Sequence, residues 1–441
     1  MGGEIGSGKS GMMVGKTVHQ VAKKTLIIPV HPMTTIKKVR MLRKMAARWT
    51  YGVQLYLDRL LEGNASPADL YHAVAELTGL NKPYTQNCRD KALQMFRSYR
   101  RLHQRWRRRV TMLSAKLGRA ADPKEAHRLD GLLKRLIQAE PRRPKITGRI
   151  PIDIDARCGS FELSNEAKEF KAWARISTLE KRIRVAVPLV LHEFAEKTLN
   201  ADWKPKSFKM IYRRRLHRWE VHLAVEKTIE VTVRDIAGID LGIKRLAVAY
   251  SFGQDRVIHK AAKASYKEFF HRLHELNNRY SRAQRLDLKA LLKKLRHKRR
   301  NVVADLQRKL ARRLAKRVAC GRLIYIGLPR YIREAYGRGY TSRRKRKMIH
   351  RWPYRRFADT LALKIMEFNG FSVIIDERES TKMCSACRMN ECPRCNRHRY
   401  AETTVVDRRF HCRCCGLDTD RDANAAKNIA LSGLEVQRVW A

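Results

Sequence analysis

The cysteines of this chain are crowded into one short segment, and this limits what the segment can fold into. Seven of the ten fall between Cys384 and Cys415, whereas Cys88, Cys158 and Cys320 are scattered along the rest of the sequence. Secreted proteins held by disulfides spread their cysteines more evenly over a shorter chain. The pattern therefore predicts a metal site in a reducing compartment, with the scattered cysteines buried as small hydrophobic side chains.

Within this segment the cysteines have the spacing of zinc knuckles. They occur as Cys384-Ser-Ala-Cys387, Cys392-Pro-Arg-Cys395 and Cys412-Arg-Cys414-Cys415. Two C-x-x-C pairs supply four thiolates, which bind one Zn²⁺ ion as a closed tetrahedron with a structural role. Because one ion cannot bind every sulfur, the extra pair Cys392-Cys395 either replaces another pair or belongs to a second site. Candidates for the rest of that second site are His398, His411 and Cys414.

Basic residues outnumber acidic ones along the whole chain. The 441 residues include 96 lysines and arginines against 42 aspartates and glutamates, for a formal net charge of +54. Self-repulsion of this size opposes a compact state unless a polyanion neutralises it. Hydrophobic residues still make up 44% of the sequence, enough for the cores of roughly two or three domains. Nucleic acid is the partner that this balance favours.

A membrane surface is the competing partner for so basic a chain. A membrane-surface protein would concentrate its charge on one helix or tail, whereas lysine and arginine here occur in nearly every segment. No apolar run reaches ~18 residues, and residues 1–17 lack the apolar core of a signal peptide. We therefore expect no membrane association and no small-molecule substrate.

Two stretches are the most basic. Residues 97–109 (RSYRRLHQRWRRR) follow a helical pattern, and aromatic side chains interleave with their charges, which suits stacking on bases but also ordinary packing. The second stretch is a glycine- and arginine-rich loop at 333–347. Such runs are usually solvated surface, and we favour nucleic-acid binding here. The predicted contacts are Arg97, Tyr99, Arg100, Arg101, Arg105, Trp106, Arg107, Arg108, Arg343, Arg344, Lys345 and Arg346.

The pattern of the first half predicts a β domain with a helical insertion. A strand at 25–30 precedes a long basic amphipathic helix at 34–63, and residues 67–140 keep a polar helical pattern. Residues 141–235 change to a period of two, which predicts antiparallel strands that close with the first strand into a small barrel. This β domain ends near Asp235–Ala237.

The second half alternates apolar strands with helices, which predicts an α/β fold. It opens with IAGIDLGIKRLAVAYS at 236–251, a strand whose second part turns back as a hairpin. The other predicted elements are two long basic helices at 263–319, a buried strand at 322–329, a helix at 353–369, a strand at 371–377 and a final helix at 421–432.

Acidic residues attached to these apolar elements stand out. Asp240 lies in GIDLG, and burying a carboxylate costs several kcal/mol unless it is ion-paired or bound to a cation. Asp422 lies at the start of a helix rich in small residues, where aspartate often acts only as a cap. A carboxylate on a strand and one on a neighbouring helix can instead share two Mg²⁺ ions ~4 Å apart and hydrolyse a phosphodiester.

The order of these motifs resembles that of TnpB-like nucleases and of the miniature type V CRISPR effectors similar to them. The shared order is GIDLG, a helical hairpin, an apolar strand, a C-x-x-C ribbon and D-x-N-A-A-x-N-I. The segment TKMCSAC is similar to the family's T-S-x-x-C-S-x-C, and FHCRCCGLDTDRDANAAKNIA to its F-x-C-x-x-C-G…D-x-N-A-A-x-N-I. The resemblance is close over residues 236–431, and the first half fits it only in layout.

The resemblance implies an α/β RNase H-like (RuvC) nuclease core with an inserted zinc ribbon, preceded by a β-barrel wedge domain that carries a helical recognition insertion. It divides the chain into a flexible N-terminus (1–20), the wedge domain (21–63 and 141–235), the recognition insertion (64–140), the nuclease domain (236–379 and 417–441) and a zinc ribbon that binds target nucleic acid (380–416).

The resemblance also implies cofactors and partners. The implied cofactors are two Mg²⁺ ions (or Mn²⁺) and one Zn²⁺, or two if the extra cysteine pair binds. The implied zinc ligands are Cys384, Cys387, Cys412 and Cys415. The implied partners are a guide RNA and target DNA, in the cytoplasm of a prokaryotic cell.

One expected acid is missing. Asp240 and Asp422 match the family's first and last metal-binding acids, but the usual glutamate on the second apolar strand is Gly327 here, and Glu334 follows only in a loop. Either the nuclease is inactive, or the glutamate comes from elsewhere. Glu377 closes the strand at 371–377 in DERESTKMC, similar to the D-E-x-x-T-S-K-x-C of relatives with a relocated glutamate. We favour Glu377 as the third catalytic, Mg²⁺-binding acid, with Glu379 as the backup because alternate strand residues share a face.

The sequence thus predicts an Mg²⁺-dependent endodeoxyribonuclease guided by RNA, reading a short motif beside its target. The alternative is an RNA-guided DNA-binding protein with an inactive nuclease core, and a transposase would need a catalytic set that is not visible. Residues 3–10 match the P-loop pattern G-x-x-x-x-G-K-S, but a working P-loop needs a strand before it. Two residues cannot form that strand, so we interpret the match as coincidence.

Overall fold

The computed structural model describes residues 14–63, 70–164, 169–180, 182–243, 245–329, 352–377, 379–389, 403–406 and 408–440. The chain divides into two compact units, Lys23–Lys227 and Met1–Ala22 with Thr228–Ala441. The division falls a few residues before the predicted boundary at Asp235–Ala237. No described helix is both long enough and apolar enough to cross a membrane.

The unit Lys23–Lys227 combines a helical block with antiparallel strands. Its helices are α1 (Ile36–Glu62), α2 (Tyr71–Thr78), α3 (Lys82–Gly118), α4 (Pro123–Gln138) and α5 (Glu193–Leu199). Its strands are β2 (Ile152–Ile154), β3 (Gly159–Leu163), β4 (Ala172–Ser177), β5 (Arg184–Leu189) and β6 (Lys204–Arg213), with most of β1 (Thr17–Pro29) and β7 (Arg218–Thr232). A 3₁₀ turn, Arg214–Leu216, joins β6 to β7.

Local chemistry sets the ends of these helices. The side chains of Asn81 and Asp122 accept backbone N–H groups at the starts of α3 and α4, and a proline lies in the first turn of each helix. Gly63 ends α1 with a left-handed backbone at φ 79°. The helices predicted at 34–63 and within 67–140 are confirmed.

The strands of this unit form two sheets. One has the order β1-β7-β6-β2 and the other β3-β4-β5, and an isolated bridge pairs Val30 with Leu189. The pairs β2–β6, β6–β7, β3–β4 and β4–β5 are antiparallel, as the period of two predicted. The first strand joins the sheet as expected, and closure into a barrel stays a prediction.

The second unit is mixed α/β. After β7 its strands are β8 (Asp235–Asp240), β9 (Arg245–Ser251), β10 (Arg256–Ala262), β11 (Arg322–Leu328), β12 (Phe371–Asp376), β13 (Thr403–Val406), β14 (Arg409–Cys412) and β15 (Asp418–Asp420). Its helices are α6 (Lys267–Arg285), α7 (Lys289–Val318), α8 (Tyr354–Glu367), α9 (Ser385–Met389) and α10 (Arg421–Trp440), with a 3₁₀ turn at Lys263–Tyr266. Every strand and helix predicted here is present, and the described residues add five elements that the pattern did not predict, namely β10, β13, β14, β15 and α9.

A five-stranded sheet forms the centre of this unit, in the order β10-β9-β8-β11-β12. Strands β8, β9 and β10 are antiparallel neighbours, whereas β11 runs parallel to both β8 and β12. The edge strand β10 has only one buried residue, Ala261, among seven, so its apolar pattern is weak. This explains why its sequence did not indicate a strand.

The two faces of the sheet pack against different helices. On one face, Ile239 and Ile326 belong to a core with α7 and α8. On the other face, Ile236 and Tyr325 pack with Ile429 and other residues of α10. Because side chains alternate along a strand, every second residue of β8, β11 and β12 faces α10.

Candidate active site and zinc site

Strand alternation directs two acids, Asp240 and Glu377, toward α10 at one end of the sheet. In β8 the positions facing α10 are Ile236, Gly238 and Asp240, and Asp240 is the last residue of the strand. In β12 Ile375 faces α10, so Glu377, immediately after the strand, continues the same face. Asp376 lies between these two positions, so its side chain is directed to the opposite face of the sheet. Parallel pairing of β8, β11 and β12 aligns the ends of these strands.

Helix α10 brings the third acid to the same face. Its residues Ala426, Ile429 and Gly433 contact the sheet at helical spacing, and Asp422 precedes Ala426 by one turn. The approach is close because the sheet offers Gly238, where a Cβ would collide with the backbone oxygen of Ala426. Small residues on both elements, Gly238 in the sheet and Ala426 in the helix, therefore allow α10 to pack closely.

Asp422 is not the cap of α10. The carboxylate of Asp420 fills that role, since its Oδ1 accepts the backbone N–H groups of Asp422 at 3.0 Å and of Ala423 at 3.2 Å. Asp422 itself is only 4% exposed, so its carboxylate lies buried beside the sheet and does not cap the helix. Capping, the usual role of an aspartate at a helix start, is thus performed by Asp420 and not by Asp422.

The carboxyl groups of Asp240 and Glu377 are strongly perturbed. Burial, and then the charge of Asp422, raises the pKa of Asp240 to about 7. Burial, followed by the charges of Asp240 and Asp376, raises the pKa of Glu377 to about 9. Asp422 disfavours ionisation of Asp240, and Asp240 disfavours ionisation of Glu377, so each of these two pairs lies close enough to interact. Among the described residues Glu377 Oε2 is buried without a hydrogen-bond partner.

Arginines surround Asp422. Arg408 and Arg245 contact its Oδ2, the latter at 3.3 Å, and Arg421 lies 3.3 Å from its Oδ1. Arg245 also contacts Asp420, so one guanidinium bridges two carboxylates. These cations offset the cost of burying Asp422, whereas Asp240 and Glu377 form no ion pair within the described part of the chain.

Gly327 lies against Glu377, in the strand where relatives are expected to carry a glutamate. A Cβ added to Gly327 would lie 3.0 Å from the Cβ of Glu377 and would collide with Ile429. The space that a side chain at 327 would need is therefore taken by Glu377 and by helix α10. A side chain at 327 would therefore require the end of the Ile429 side chain to move and Glu377 to give way slightly.

These three acids fit divalent cations. Carboxylate oxygens are the ligands that Mg²⁺ prefers, and an unpartnered buried oxygen such as Glu377 Oε2 is what an ion would satisfy. Among described residues, the three acids do not have ligand oxygens that all lie within 4.8 Å of one another. Ligands that share two ions ~4 Å apart spread more widely than the ligands of one ion. The binding of two shared ions by these acids stays a prediction.

The backup acid Glu379 is placed differently from the expectation. Strand β12 ends at Asp376, and Glu379 lies in the following turn with a left-handed backbone at φ 66°. Alternation along a strand therefore does not carry from Glu377 to Glu379. Glu334 lies outside the described residues.

Four cysteines form a second, separate cluster. The sulfurs of Cys384, Cys387, Cys412 and Cys415 lie within 4.8 Å of one another. The Sγ atoms of Cys384 and Cys415 are 3.5 Å apart, and those of Cys387 and Cys412 are 3.7 Å apart. Thiolates at ~2.3 Å from one Zn²⁺ ion in a tetrahedron are about 3.8 Å from each other. The four sulfurs fit one zinc ion and lie too far apart for disulfides.

The structure does not describe the extra cysteine pair. Cys392, Cys395 and His398 lie outside the described residues, as does the P-loop-like segment at 3–10. Cys414 and His411 are described, and neither belongs to the four-cysteine group. A second zinc site stays a prediction.

Two buried asparagines of α10 hold the ribbon, a role that sequence reasoning missed. Asn424 accepts the N–H of Ser385 at 3.0 Å and donates to the carbonyl of Met383 at 2.7 Å. Asn428 donates to the carbonyls of Met383 and Ser380. Their spacing of four residues in D-x-N-A-A-x-N-I was the available signal, because it puts both on one helix face. The segment leading into Cys384 is thus tied to the helix that carries Asp422.

The predicted nucleic-acid contacts of the first stretch all lie on α3. The arginines in this set are exposed, and Tyr99 and Trp106 are half-buried. Trp106 donates its Nε1–H to the carbonyl of Leu136 at 2.8 Å and therefore packs against α4. Packing explains this tryptophan without nucleic acid, while the arginines keep free surface. Arg343, Arg344, Lys345 and Arg346 lie outside the described residues.

Comparison with known proteins identifies part of the chain. No curated protein matches the sequence. Among solved structures, the chain is similar to a cryo-EM structure of the Cas12f1-sgRNA-target DNA complex, with 12% identity over 93% of this chain and 99% of that one and a TM-score of 0.44. A CRISPR-Cas12f ternary complex gives 15% identity over 92% and 98% of the two chains, with a TM-score of 0.28.

A family model gives the most specific match. Residues 354–429 match the family described as Cas12f1-like, TNB domain. This segment begins with α8 and contains Glu377, Asp422 and the four clustered cysteines. The match covers the four clustered cysteines and two of the three acids, whereas Asp240 lies outside it. Over this segment it confirms the resemblance to miniature type V effectors that the motifs indicated, because residues 354–429 are similar to the Cas12f1-like TNB domain.

Proposed function

We propose that this chain is a guide-RNA-dependent DNA endonuclease in which Asp240, Glu377 and Asp422 are the catalytic acids. One observation carries the proposal. Three acids from three separate elements converge on one buried face, and the buried Oε2 of Glu377 has no hydrogen-bond partner among the described residues. Buried carboxylates arranged in this way are costly unless they bind cations.

The sheet supports an RNase H-like core for this site. Its first three strands, β8, β9 and β10, are antiparallel, and β11 and β12 extend the other side of β8 in parallel. This is the strand arrangement of RNase H-like nucleases. Asp240 ends the first strand, and the acid-bearing helix α10 packs across the same face.

The charge of the chain supports nucleic-acid partners. A net charge of +54 calls for a polyanion, and exposed arginines of α3 offer contacts to a phosphate backbone. In such a complex, pairing with the guide RNA would select the target DNA and the protein would read a short flanking motif. The Cas12f1-like match over residues 354–429 agrees with this division of labour.

The side chains suggest how the site would work. Divalent cations bound by the three acids would activate water and stabilise the leaving oxygen of a phosphodiester. Burial, with the charge of Asp422 on Asp240 and of Asp240 on Glu377, raises the pKa of both carboxyl groups, so cations that bind there would have to displace protons. Arg245 and Arg408 would meet the phosphates of an incoming strand at the edge of the site.

The test is cleavage by purified, RNA-loaded protein in Mg²⁺ or Mn²⁺. Glu377→Gln and Asp240→Asn should each lower the cleavage rate by roughly two orders of magnitude or more while leaving guided DNA binding intact. Asp376→Asn and Glu379→Gln are matched controls that remove neighbouring acids, and both should cut at close to the normal rate. Normal cleavage by Glu377→Gln would overturn the assignment of the third acid.

An inactive, DNA-binding effector is the second candidate function. The observation that favours it is the ring of arginines on Asp422, which satisfies that carboxylate without a metal ion. It predicts guided DNA binding with no cleavage by the unmodified protein in either ion. Binding without cleavage would therefore decide for this candidate.

A further inference from the structure

A buried glutamate lies on the outer face of the hairpin formed by β6 and β7. Glu220 pairs with Ile211 across the hairpin, between the neighbouring pairs Met210–Val221 and Tyr212–Trp219. Met210 and Val221 are fully buried core residues, so Glu220 points to the opposite face of the ribbon. Even so, Glu220 is only 2% exposed.

Three cationic side chains surround this carboxylate. Arg213 Nε donates to Oε2 at 2.9 Å, and Arg218 donates to Oε1 from Nε at 3.1 Å and from Nη2 at 3.0 Å. The ring of His222 lies 3.3 Å from Oε2. Hydrogen bonds from Arg213, Arg218 and His222 outweigh the larger single effect of burial, so the pKa of Glu220 is lowered. Glu220 therefore stays ionised and acts as a fixed anchor.

The anchored arginines are themselves exposed. The side chains of Arg213 and Arg218 are 46% and 47% exposed, and Glu220 engages the Nε edge of each guanidinium. Within the described part of the chain, Glu220 is the carboxylate that each of them pairs with. The remaining N–H groups of Arg213 are consequently directed away from Glu220 and are available to a second anion.

Positive charge is concentrated at the hairpin tip, and this concentration does not stabilise the fold. Arg213 and Arg218 are directly opposite each other in the β register, and like charges in that position are destabilising. Between them lie Arg214, Arg215 and His217, all of them exposed. One carboxylate offsets only part of this charge. An anion outside the chain would balance the rest.

We propose that the β6–β7 hairpin tip, residues 213–218, is a preformed clamp for the phosphodiester backbone of nucleic acid, and that Glu220 is its positioning residue. Guanidinium groups bind phosphate through paired N–H donors, and a fixed orientation lowers the entropy lost on binding. The inference rests on the proposed function only in that the chain binds nucleic acid. It does not depend on cleavage.

Glu220→Gln tests the positioning role because charge and geometry predict opposite results. The substitution keeps the shape and adds one positive charge, so charge alone would strengthen binding to a polyanion. Loss of the anchor should instead weaken binding by roughly tenfold. Glu193→Gln, an exposed glutamate of the same unit paired with Lys197, makes the same change in charge and should bind as tightly as the unmodified protein or more tightly.

The clamp itself is tested by the salt dependence of binding. Arg213→Ala with Arg218→Ala should lower the slope of log K against log salt by roughly 1.4 to 1.8, the value for two lost phosphate contacts. Lys171→Ala with Lys197→Ala is the matched control, since these lysines are also exposed and paired with glutamates. Both arginines are on the surface, so this variant remains informative if Glu220→Gln fails to fold.

Binding is measured separately for the RNA that co-purifies with the chain and for a short DNA duplex added to the RNA-loaded protein. A reduced slope with the RNA identifies the guide as the clamped strand, and a reduced slope with the duplex identifies the target. The same slope and affinity as the lysine control in both assays would overturn the clamp. Failure of the unmodified protein to bind either nucleic acid would overturn the proposed function as well.

Discussion

The four-cysteine cluster and the three-carboxylate cluster both lie beside helix α10, but their ligand atoms differ in spacing and in charge. The sulfurs of Cys384, Cys387, Cys412 and Cys415 already have the spacing of a tetrahedral zinc site. The carboxylates of Asp240, Glu377 and Asp422 do not all lie within the same short distance. Asp422 is held by arginines, and the pKa of Glu377 is raised to about 9.

The chemistry of the two ligand types explains the difference. Thiols with ordinary pKa values are mostly neutral near pH 7, so they repel one another less than carboxylates and can pack together before any metal arrives. Burial raises the pKa of Cys384 to about 12, and although burial also acts on Cys412, hydrogen bonds from backbone N–H groups of Cys415 and Cys414 lower its pKa to about 7. Carboxylates are charged near pH 7, so they repel one another in a buried site until protons, arginines or metal ions compensate them. The cysteine cluster is therefore suited to a permanent structural ion, and the carboxylate cluster to ions that exchange during a reaction.

The largest effect should come from removing a zinc ligand. Cys384→Ser should release the metal and unfold the ribbon, because a structural zinc site supplies roughly 10 kcal/mol or more of folding free energy. Elemental analysis should fall from about one zinc per chain toward none, since one Cys₄ site binds one ion. Cys320→Ser is the control, because Cys320 is exposed and outside the cluster. Unchanged zinc content in Cys384→Ser would show that the metal is bound elsewhere.

The second-largest effect should come from introducing a side chain at position 327, beside the carboxylate site. Gly327→Glu should destabilise the protein by roughly 3 kcal/mol or more, since the new side chain meets Ile429 and Glu377 in a packed core. Thermal unfolding and cleavage should both reveal the loss. Adding Glu377→Gly to this variant should recover part of the stability by emptying the space that Glu377 occupies. No recovery in the double variant would contradict the shared-space interpretation.

The stability of the metal-free protein should depend on pH because of the carboxylate site. Raised pKa values mean that folded Asp240 and Glu377 hold protons which the unfolded chain has released, so stability should fall as pH rises from about 4 toward 9. Each group contributes up to roughly 1.4 kcal/mol per pH unit. Denaturant unfolding at several pH values, with Glu377→Gln as the comparison, measures this slope. A slope unaffected by Glu377→Gln would contradict the buried, protonated carboxyl group.

The smallest expected effect concerns the arginines on Asp422. Arg408→Ala should free this carboxylate for metal ions and lower the Mg²⁺ concentration for half-maximal cleavage by roughly threefold, the scale of a partly exposed ion pair. Arg409→Ala is the matched control, because Arg409 pairs with Asp418 and is more exposed. A higher Mg²⁺ requirement in Arg408→Ala would mean that Arg408 assists the reaction rather than competing with the ions.

Much of this arrangement could be predicted because it follows from local sequence patterns. Alternating and helical periods predicted most strands and helices of both halves. Cysteine spacing indicated a zinc site, and the family resemblance implied the four sulfurs that the structure brings together. Asp240 and Asp422 stood out as acids in apolar elements, where burial of a carboxylate requires a reason. Such features depend on residues close together in sequence, so they are visible without a structure.

Other features depend on contacts between distant residues, and only the tertiary structure decided them. Asp420 rather than Asp422 caps α10, and the turn at Glu379 breaks the strand alternation on which its choice as the backup to Glu377 rested. Gly327 and Glu377 are fifty positions apart, yet they compete for one space. Hydrogen bonds, burial and excluded volume set these outcomes, because each depends on which atoms the folded chain brings together rather than on the order of its residues.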